Sequence, residues 1–434
     1  MGRKMKDSGI EWIGEIPEGW EVIKAKYLFA QRNEKGNSAL VLLSPTQKYG
    51  VIPQSQLEGV VQVKENTDLR VFKTIHIGDF VISLRSFQGG FEFSNYEGVC
   101  SPAYQVFHAT KDLSNDFFRY LFKSDGFISK INSLTVGIRE GKNIQYWDFS
   151  NMLLALPPKE VQIRSAQYLN AKCTEIDTML SKTRSSIEEY KKLKQAIITQ
   201  AVTKGVRGER EMKDSGVEWI GEIPEEWNKC KLKNISIDIG DGFHGTPKFD
   251  DSGEVYFING NNFSSEYVEP KFDTKKLCLE ESLNYPKPEL TEQTIMISLN
   301  GSYGKVCLYR YFPMLLGKSA GYITLLPSIN RRYVRYYLSS TPAQIIMTLS
   351  LNGTTIPNLS LNTLYNFPTI LPSASEQAEI ADYLDAKCAE IHGLIAKKEQ
   401  LAKELESYKK SLIYEVVTGK RGIFTDIARK FPNI

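Results

Sequence analysis

Between residues 160 and 203, apolar side chains recur at steps of three and four. Leu169, Ile176, Tyr190 and Ile197 lie at multiples of seven, and Cys173, Leu180, Ile187 and Ala201 run beside them. Such a stripe predicts one long helix with a coiled-coil seam, interrupted by Thr183 and Lys194 and ended by Gly205 and Gly208. A second stripe of Leu394, Leu401, Leu405, Tyr408 and Leu412 predicts a matching helix over residues 376–418. A helix of about 40 residues extends roughly 60 Å. One apolar face of that length needs a partner, and each helix supplies one for the other.

The two helices are copies. Residues 168–176 read YLNAKCTEI and residues 383–391 read YLDAKCAEI, so seven of nine positions match at an offset of 215. The offset holds from Leu156-Pro157 and Leu371-Pro372 to Val202-Thr203 and Val417-Thr418. A second repeated block reads MKDSGIEWIGEIPEGW at 5–20 and MKDSGVEWIGEIPEEW at 212–227, with fourteen of sixteen positions identical at an offset of 207. Its apolar residues, Trp12, Ile13, Ile16 and Trp20, alternate with turn-forming Gly and Pro and predict a packing clip between globular domain and helices. A repeat of half the chain implies duplication of a whole domain with its helix, arranged about a pseudo-two-fold axis.

Between the repeated parts the pattern changes to short apolar runs. Val41-Leu42-Leu43, residues 80–84 and residues 295–299 read as buried strands, and residues 116–122 as an amphipathic helix. The expected fold is α+β: two mixed globular domains joined by two long coiled-coil helices that pack on each other. The expected boundaries are 1–158 for the first domain, 159–208 for the first helical region, 209–373 for the second domain, 374–422 for the second helical region, and 423–434 for a tail. The two domains share little identity, so they are expected to bind different things.

Composition narrows the classes. Charged residues make up 24% of the chain and the net charge is +3, so a nucleic-acid surface would be local. No apolar run approaches the ~20 residues that span a bilayer, and the first residues have no apolar signal segment. Six scattered cysteines without a CxxC pair suggest a reduced, cytoplasmic protein.

Catalytic patterns are weak. His76, His108, His244 and His392 form no HExxH or Cys/His motif, so no metal site is expected. Residues 301–305 (GSYGK) are too short for a phosphate loop. Residues 317–321 (GKSAG) fit GxSxG, but the strand-like YITLL that follows does not fit a nucleophile elbow. No catalytic or cofactor-binding residue is assigned.

Glycine-rich polar loops remain. In the first domain they offer Lys48, Arg85 and Gln88; in the second, His244, Thr246, Lys248, Ser302, Lys305 and Thr355. Glycine lets backbone approach a ligand closely. These polar side chains suit base edges and phosphates. Each also has a plain structural reading, such as a surface ion pair for Arg85 or a turn-stabilising hydrogen bond for His244. Two different binding heads on one strut fit DNA recognition, and they also fit a scaffold with two protein-binding heads.

The chain resembles the specificity subunits of Type I restriction–modification systems. The resemblance rests on the doubled WIGEIP-x-x-W block, on the Leu-Pro element leading into the YLxAKCxEI helix, and on the loops at 44–54, 78–92, 241–247 and 301–305. It implies two target-recognition domains joined by two long coiled-coil helices that pack antiparallel, each domain reading half of a bipartite DNA site, with the helices fixing the spacer. It implies no activity in this subunit. Two methyltransferase subunits would transfer methyl groups from S-adenosylmethionine to adenine N6, and two restriction subunits would cleave with ATP and magnesium.

Overall fold

A computed structural model of the chain describes residues 4–36, 40–57, 69–83, 90–134, 144–351 and 357–423. The chain divides into two compact units, Met1–Thr183 with Gln400–Ile434, and Arg184–Glu399. Each unit combines one head with half of each long helix.

Four strands and one short helix define each head. In the first unit they are β1 (Phe29–Arg32), β2 (Phe80–Ile82), β3 (Phe91–Phe93), β4 (Gln105–Ala109) and α1 (Asn115–Leu121), followed by the long helix α2 (Lys159–Lys204). In the second they are β5 (Ser236–Asp241), β6 (Thr294–Ser298), β7 (Val306–Leu308), β8 (Ala320–Leu325) and α3 (Arg331–Ser339), followed by α4 (Ala374–Val417). The sheets are antiparallel, in the orders β1-β4-β2-β3 and β5-β8-β6-β7, so both heads use one topology. The fold is α+β, as the sequence pattern predicts.

The two heads fill this topology differently. Phe29, Phe80, Phe91, Phe107, Phe118 and Phe122 form an aromatic cluster in the first head, with ring centroids as close as 5.1 Å. The second head packs Ile295, Ile297, Ile323 and Leu325 against Tyr333 and Tyr337. Both tyrosine hydroxyls are satisfied by backbone: Tyr333 donates to Ile370 O at 2.8 Å and Tyr337 to Pro368 O at 2.7 Å. The first-domain strand expected at Val41-Leu42-Leu43 instead spans Leu43–Thr46, paired with Gly50–Pro53, and Val41 is exposed. Val41 lies outside that hairpin, and its side chain faces solvent.

Helices α2 and α4 contain 46 and 44 residues and end at glycines in the left-handed region, Gly205 (φ 80°) and Gly419 (φ 73°). In the first unit Leu169, Ile176 and Leu180 of α2 share a core with Leu412 and Val416 of α4. In the second unit Ile198 and Ala201 of α2 share a core with Ile380 and Leu384. The start of each helix thus meets the end of the other, and the pairing is antiparallel.

The seam of α4 differs from the expected stripe. Leu401 and Tyr408 are 44% and 46% exposed, whereas Leu384, Cys388, Ile391 and Leu412 are buried. On the seam side of α4, Ala402 and the expected Leu405 pack on the first unit's core, and Lys398 and Lys409 reach Tyr190 and Asp177 of α2, so the bulky residues beside them mimic the seam. Thr183 in α2 is buried and continues its seam rather than interrupting it.

The repeated block behaves as a clip. Trp20 and Trp227 are buried, with Ile13 and Ile16, or Ile220 and Ile223, beside them. After each tryptophan a strand pairs with the one that feeds the long helix: Glu21–Lys24 with Leu153–Leu156, and Asn228–Lys231 with Pro368–Leu371. In the second unit Trp227 Nε1 donates to Glu376 at 2.9 Å, and Arg210 donates to the same buried carboxylate at 2.6 Å. The position equivalent to Glu376 in the first helix is Val161, and Trp20 Nε1 has no partner among the described residues. Glu376→Ala would strand a buried indole N–H and take from the largely covered Arg210 its buried carboxylate, leaving it Glu226 and Lys204 O, and is expected to cost about 3 kcal/mol. Trp227→Phe keeps most of the ring, so its cost combines a modest loss of packing with an unpaired carboxylate oxygen and should be smaller. Thermal denaturation of the two variants checks the order; a milder effect for Glu376→Ala contradicts it.

Candidate nucleic-acid interface

Antiparallel register decides which loops of the second head meet. Asp241 pairs with Gly321, and Gly321 with Ile297. Residues 242–248, 299–305 and 317–319 therefore leave the same end of the sheet, with the first two about two strand spacings apart, roughly 10 Å. A further segment joins them: Leu359 N donates to Leu299 O at 2.8 Å, and Asn300 bridges Asn358.

Ser298 shapes the central loop. Its hydroxyl donates to Ser302 O at 2.6 Å and accepts from Lys305 N at 2.9 Å, while its backbone N–H also bonds Lys305 O at 2.9 Å. Gly301 (φ 68°) and Gly304 (φ 73°) make the tight reversal. A Cβ on Gly304 would lie 2.8 Å from Gln344 Oε1, whose side-chain amide holds Gly304 O at 2.8 Å. The effect is to fix the backbone while Ser302 and Lys305 stay exposed.

The neighbouring loop is anchored the same way. Phe243 N donates to Leu316 O at 2.7 Å, and a Cβ on Gly242 would meet that backbone at 2.3 Å. His244, Thr246 and Lys248 are exposed beyond this anchor. The ring of His244 bonds Asp241 Oδ2 at 2.7 Å, so part of its polar capacity serves the turn. The backbone N–H of Lys248 bonds Glu281 at 3.3 Å, leaving its ammonium outward.

Lys318 also sits at this end of the sheet and is exposed. Sequence reasoning passed over it because its segment fitted GxSxG. Its place next to strand β8, between two glycine-rich loops, is the signal that would have found it. The GxSxG reading fails on geometry: Ser319 Oγ bonds Asn259 Oδ1 at 3.1 Å, and β8 follows rather than a helix.

In the first head Arg85 and Gln88 lie outside the described residues, as does Thr355 in the second. Their first-head flanks, Ser83 and Gly90, extend the β2–β3 ladder with a 2.8 Å backbone bond. Lys48 stands elsewhere. It is exposed at the tip of the 43–53 hairpin, its Nζ 4.8 Å from the Tyr49 ring. That hairpin bridges Ser94, just past the opposite end of β3 from Gly90.

Among the described residues no group of three or more His, Cys, Asp or Glu could hold a metal. Burial pushes the Cys100 and Cys307 thiols up to about 12, so neither is poised as a nucleophile. No helix among the described residues is long and apolar enough to cross a membrane.

Comparison with known proteins gives a consistent result. Residues 224–403 match the family model of the Type I restriction modification DNA specificity domain. The chain is 25% identical over 424 residues to the Type I restriction enzyme MjaVIII specificity subunit of Methanocaldococcus jannaschii, covering 93% of each. It is 26% identical over 442 residues to the putative MjaX specificity subunit of the same organism, covering 94% of this chain and 95% of that one. Among solved structures, a chain from a study of complex assembly and conformational transition of the type I R-M system superposes with a TM-score of 0.71 at 17% identity, covering 94% of this chain and 99% of that one. Residues 224–403 thus match the Type I restriction modification DNA specificity domain, and along nearly its whole length the chain is similar to specificity subunits of Type I restriction enzymes, with the fold shared by a chain of the type I R-M system.

Proposed function

We propose that each head reads one half of a bipartite, asymmetric DNA site and that the paired helices set the unspecified spacer. The observation that carries this reading is one sheet topology built twice, with anchored polar loops at the sheet end of the second head, in a chain similar to specificity subunits along nearly its whole length. Lys305, Ser302, His244, Thr246, Lys248 and Lys318 are the proposed contacts in the second head. Lys48, Arg85 and Gln88 serve the first head, and Thr355 joins the second set. A scaffold with two protein-binding heads is disfavoured by that similarity.

The chain acts in this reading as a non-catalytic subunit in the cytoplasm, with no cofactor of its own. Two methyltransferase subunits methylate adenine N6 from S-adenosylmethionine, and two restriction subunits cleave with ATP and magnesium. Exposed apolar side chains on the helices, Met179, Leu401 and Tyr408 in one unit and Leu193 and Tyr383 in the other, supply surface for docking the methyltransferase subunits.

Lys305→Ala is expected to weaken specific DNA binding by the assembled complex by about 1–3 kcal/mol if it reads a base. If it neutralises a phosphate, the salt dependence falls by roughly one unit. Assembly should be intact in either case. Filter binding at several salt concentrations checks this, and unchanged binding across all the named loop variants would remove these residues from the interface.

Inserting four residues into one long helix adds about 6 Å of rise, close to two base-pair steps of roughly 3.4 Å. The recognised spacer should change, as read by sequencing of modified adenines; an unaltered spacer contradicts the ruler.

A further inference from the structure

Each unit contains a cleft between its head and its pair of helix segments, and the two clefts are built from matching residues. Arg119-Tyr120 near the end of α1 line the first, and Arg335-Tyr336 in α3 line the second. Tyr120 donates to Asn170 at 2.8 Å, and Tyr336 to Asp385, its counterpart at the 215 offset, at 2.7 Å. The same offset relates Lys409 in the first cleft to Lys194 in the second.

Their charges diverge. In the first cleft Lys409 pairs with both oxygens of Asp177 at 2.7 Å, and Lys123 pairs with Glu92 at 2.5 Å. The counterpart of Asp177 is His392. The counterpart of Glu92, by its place in the strand, is Cys307, since Phe91 faces Ile82 as Val306 faces Ile297. The second cleft has thus lost both anions; it keeps Lys194 and Arg335, while Ser339 stands where the first cleft has Lys123.

The consequence is that two cations, Lys194 and Arg335, face the cleft without a carboxylate of their own, and His392 meets Lys194 as a hydrogen-bond partner. Lys194 Nζ lies 2.6 Å from His392 Nε2. Among the described residues no carboxylate is within ion-pair distance of Lys194 or Arg335, and Arg335 Nη1 is buried without a hydrogen-bond partner. Asp385 is already engaged, one oxygen by Tyr336 and the other by Arg332. Glu266 lines the wall but pairs with neither cation. Burial, reinforced by Arg335, pulls the Lys194 ammonium below the usual lysine range; burial, Lys194 and Arg335 lower His392 likewise. An unpartnered buried guanidinium N–H is costly, and a guanidinium fork beside an ammonium matches an oxyanion.

We propose that the cleft of the second unit, about 690 Å³, binds a small oxyanion through Arg335, Lys194 and His392, where the first unit's cleft supplies its own carboxylates. The test titrates the full chain with inorganic phosphate, and separately with acetate, against potassium chloride of equal ionic strength. It follows melting temperature and, for phosphate, 31P line width. Wild type should show saturable stabilisation. Lys194→Met and Arg335→Gln should weaken phosphate binding about tenfold or more, as expected for losing one charge-assisted hydrogen bond. His392→Asp, which copies the Asp177 arrangement, should fold and lose the response because the new carboxylate occupies Lys194. Saturation by phosphate alone marks phosphate as the ligand class, whereas saturation by acetate too admits carboxylates; both outcomes support the site. Absence of a saturable response in wild type, or a response unchanged in Lys194→Met and His392→Asp, overturns it.

Discussion

A single buried glutamine near the start of each long helix ties head to helix. Gln162 accepts a hydrogen bond from Ser114 N, the residue that caps α1, at 2.9 Å, and donates to Pro157 O at 2.9 Å. Gln377 does the same for Asn330 N, the cap of α3, and for Pro372 O, at 2.9 Å each. Both side chains are 2% exposed. In such a place each polar atom must be paired, and loss of one side chain would leave two backbone groups unsatisfied. The bond sets how the head's short helix sits on the long one, and thereby where the sheet and its loops sit within that unit. Duplication has kept this joint in both halves.

With the joint kept, the heads have diverged around a common strand order. The first fills its core with phenylalanines packed mostly edge to face and the second with aliphatics and hydroxyl-bonded tyrosines. Core volume and polar satisfaction are local constraints, so each head can repack without disturbing the helix below it. The loops at the sheet end lie further from the joint. In the second head they are held by backbone and small-residue contacts, as Ser298 and Gly304 show, which leaves their outward side chains open to change.

Much of this was legible in the sequence, because its signals were redundant. The long helices were carried by period and by repetition, and the heads by short β-branched runs. Legibility failed where chemistry and position parted. Leu401 and Tyr408 read as seam residues because the real seam carries Lys398 and Lys409. Lys48 read as a companion of Arg85 because both occur in polar glycine-containing loops, but pairing with Ser94 puts its hairpin toward the far end of β3. Lys318 was hidden inside a hydrolase-like string, and only strand register placed it at the same sheet end as the loops of His244 and Lys305. Offsets reveal that two halves correspond; they do not reveal that His392 has replaced Asp177 opposite a retained lysine until the clefts are compared.

The central claim is that one duplicated subunit directs modification to two unlike half-sites. Single-molecule sequencing of methylated adenines in cells with and without this gene tests it most directly. The account predicts a gapped motif, with two different defined halves and a fixed spacer, that disappears when the gene is removed. A motif that persists without the gene, or that is continuous or the same in both halves, would contradict it.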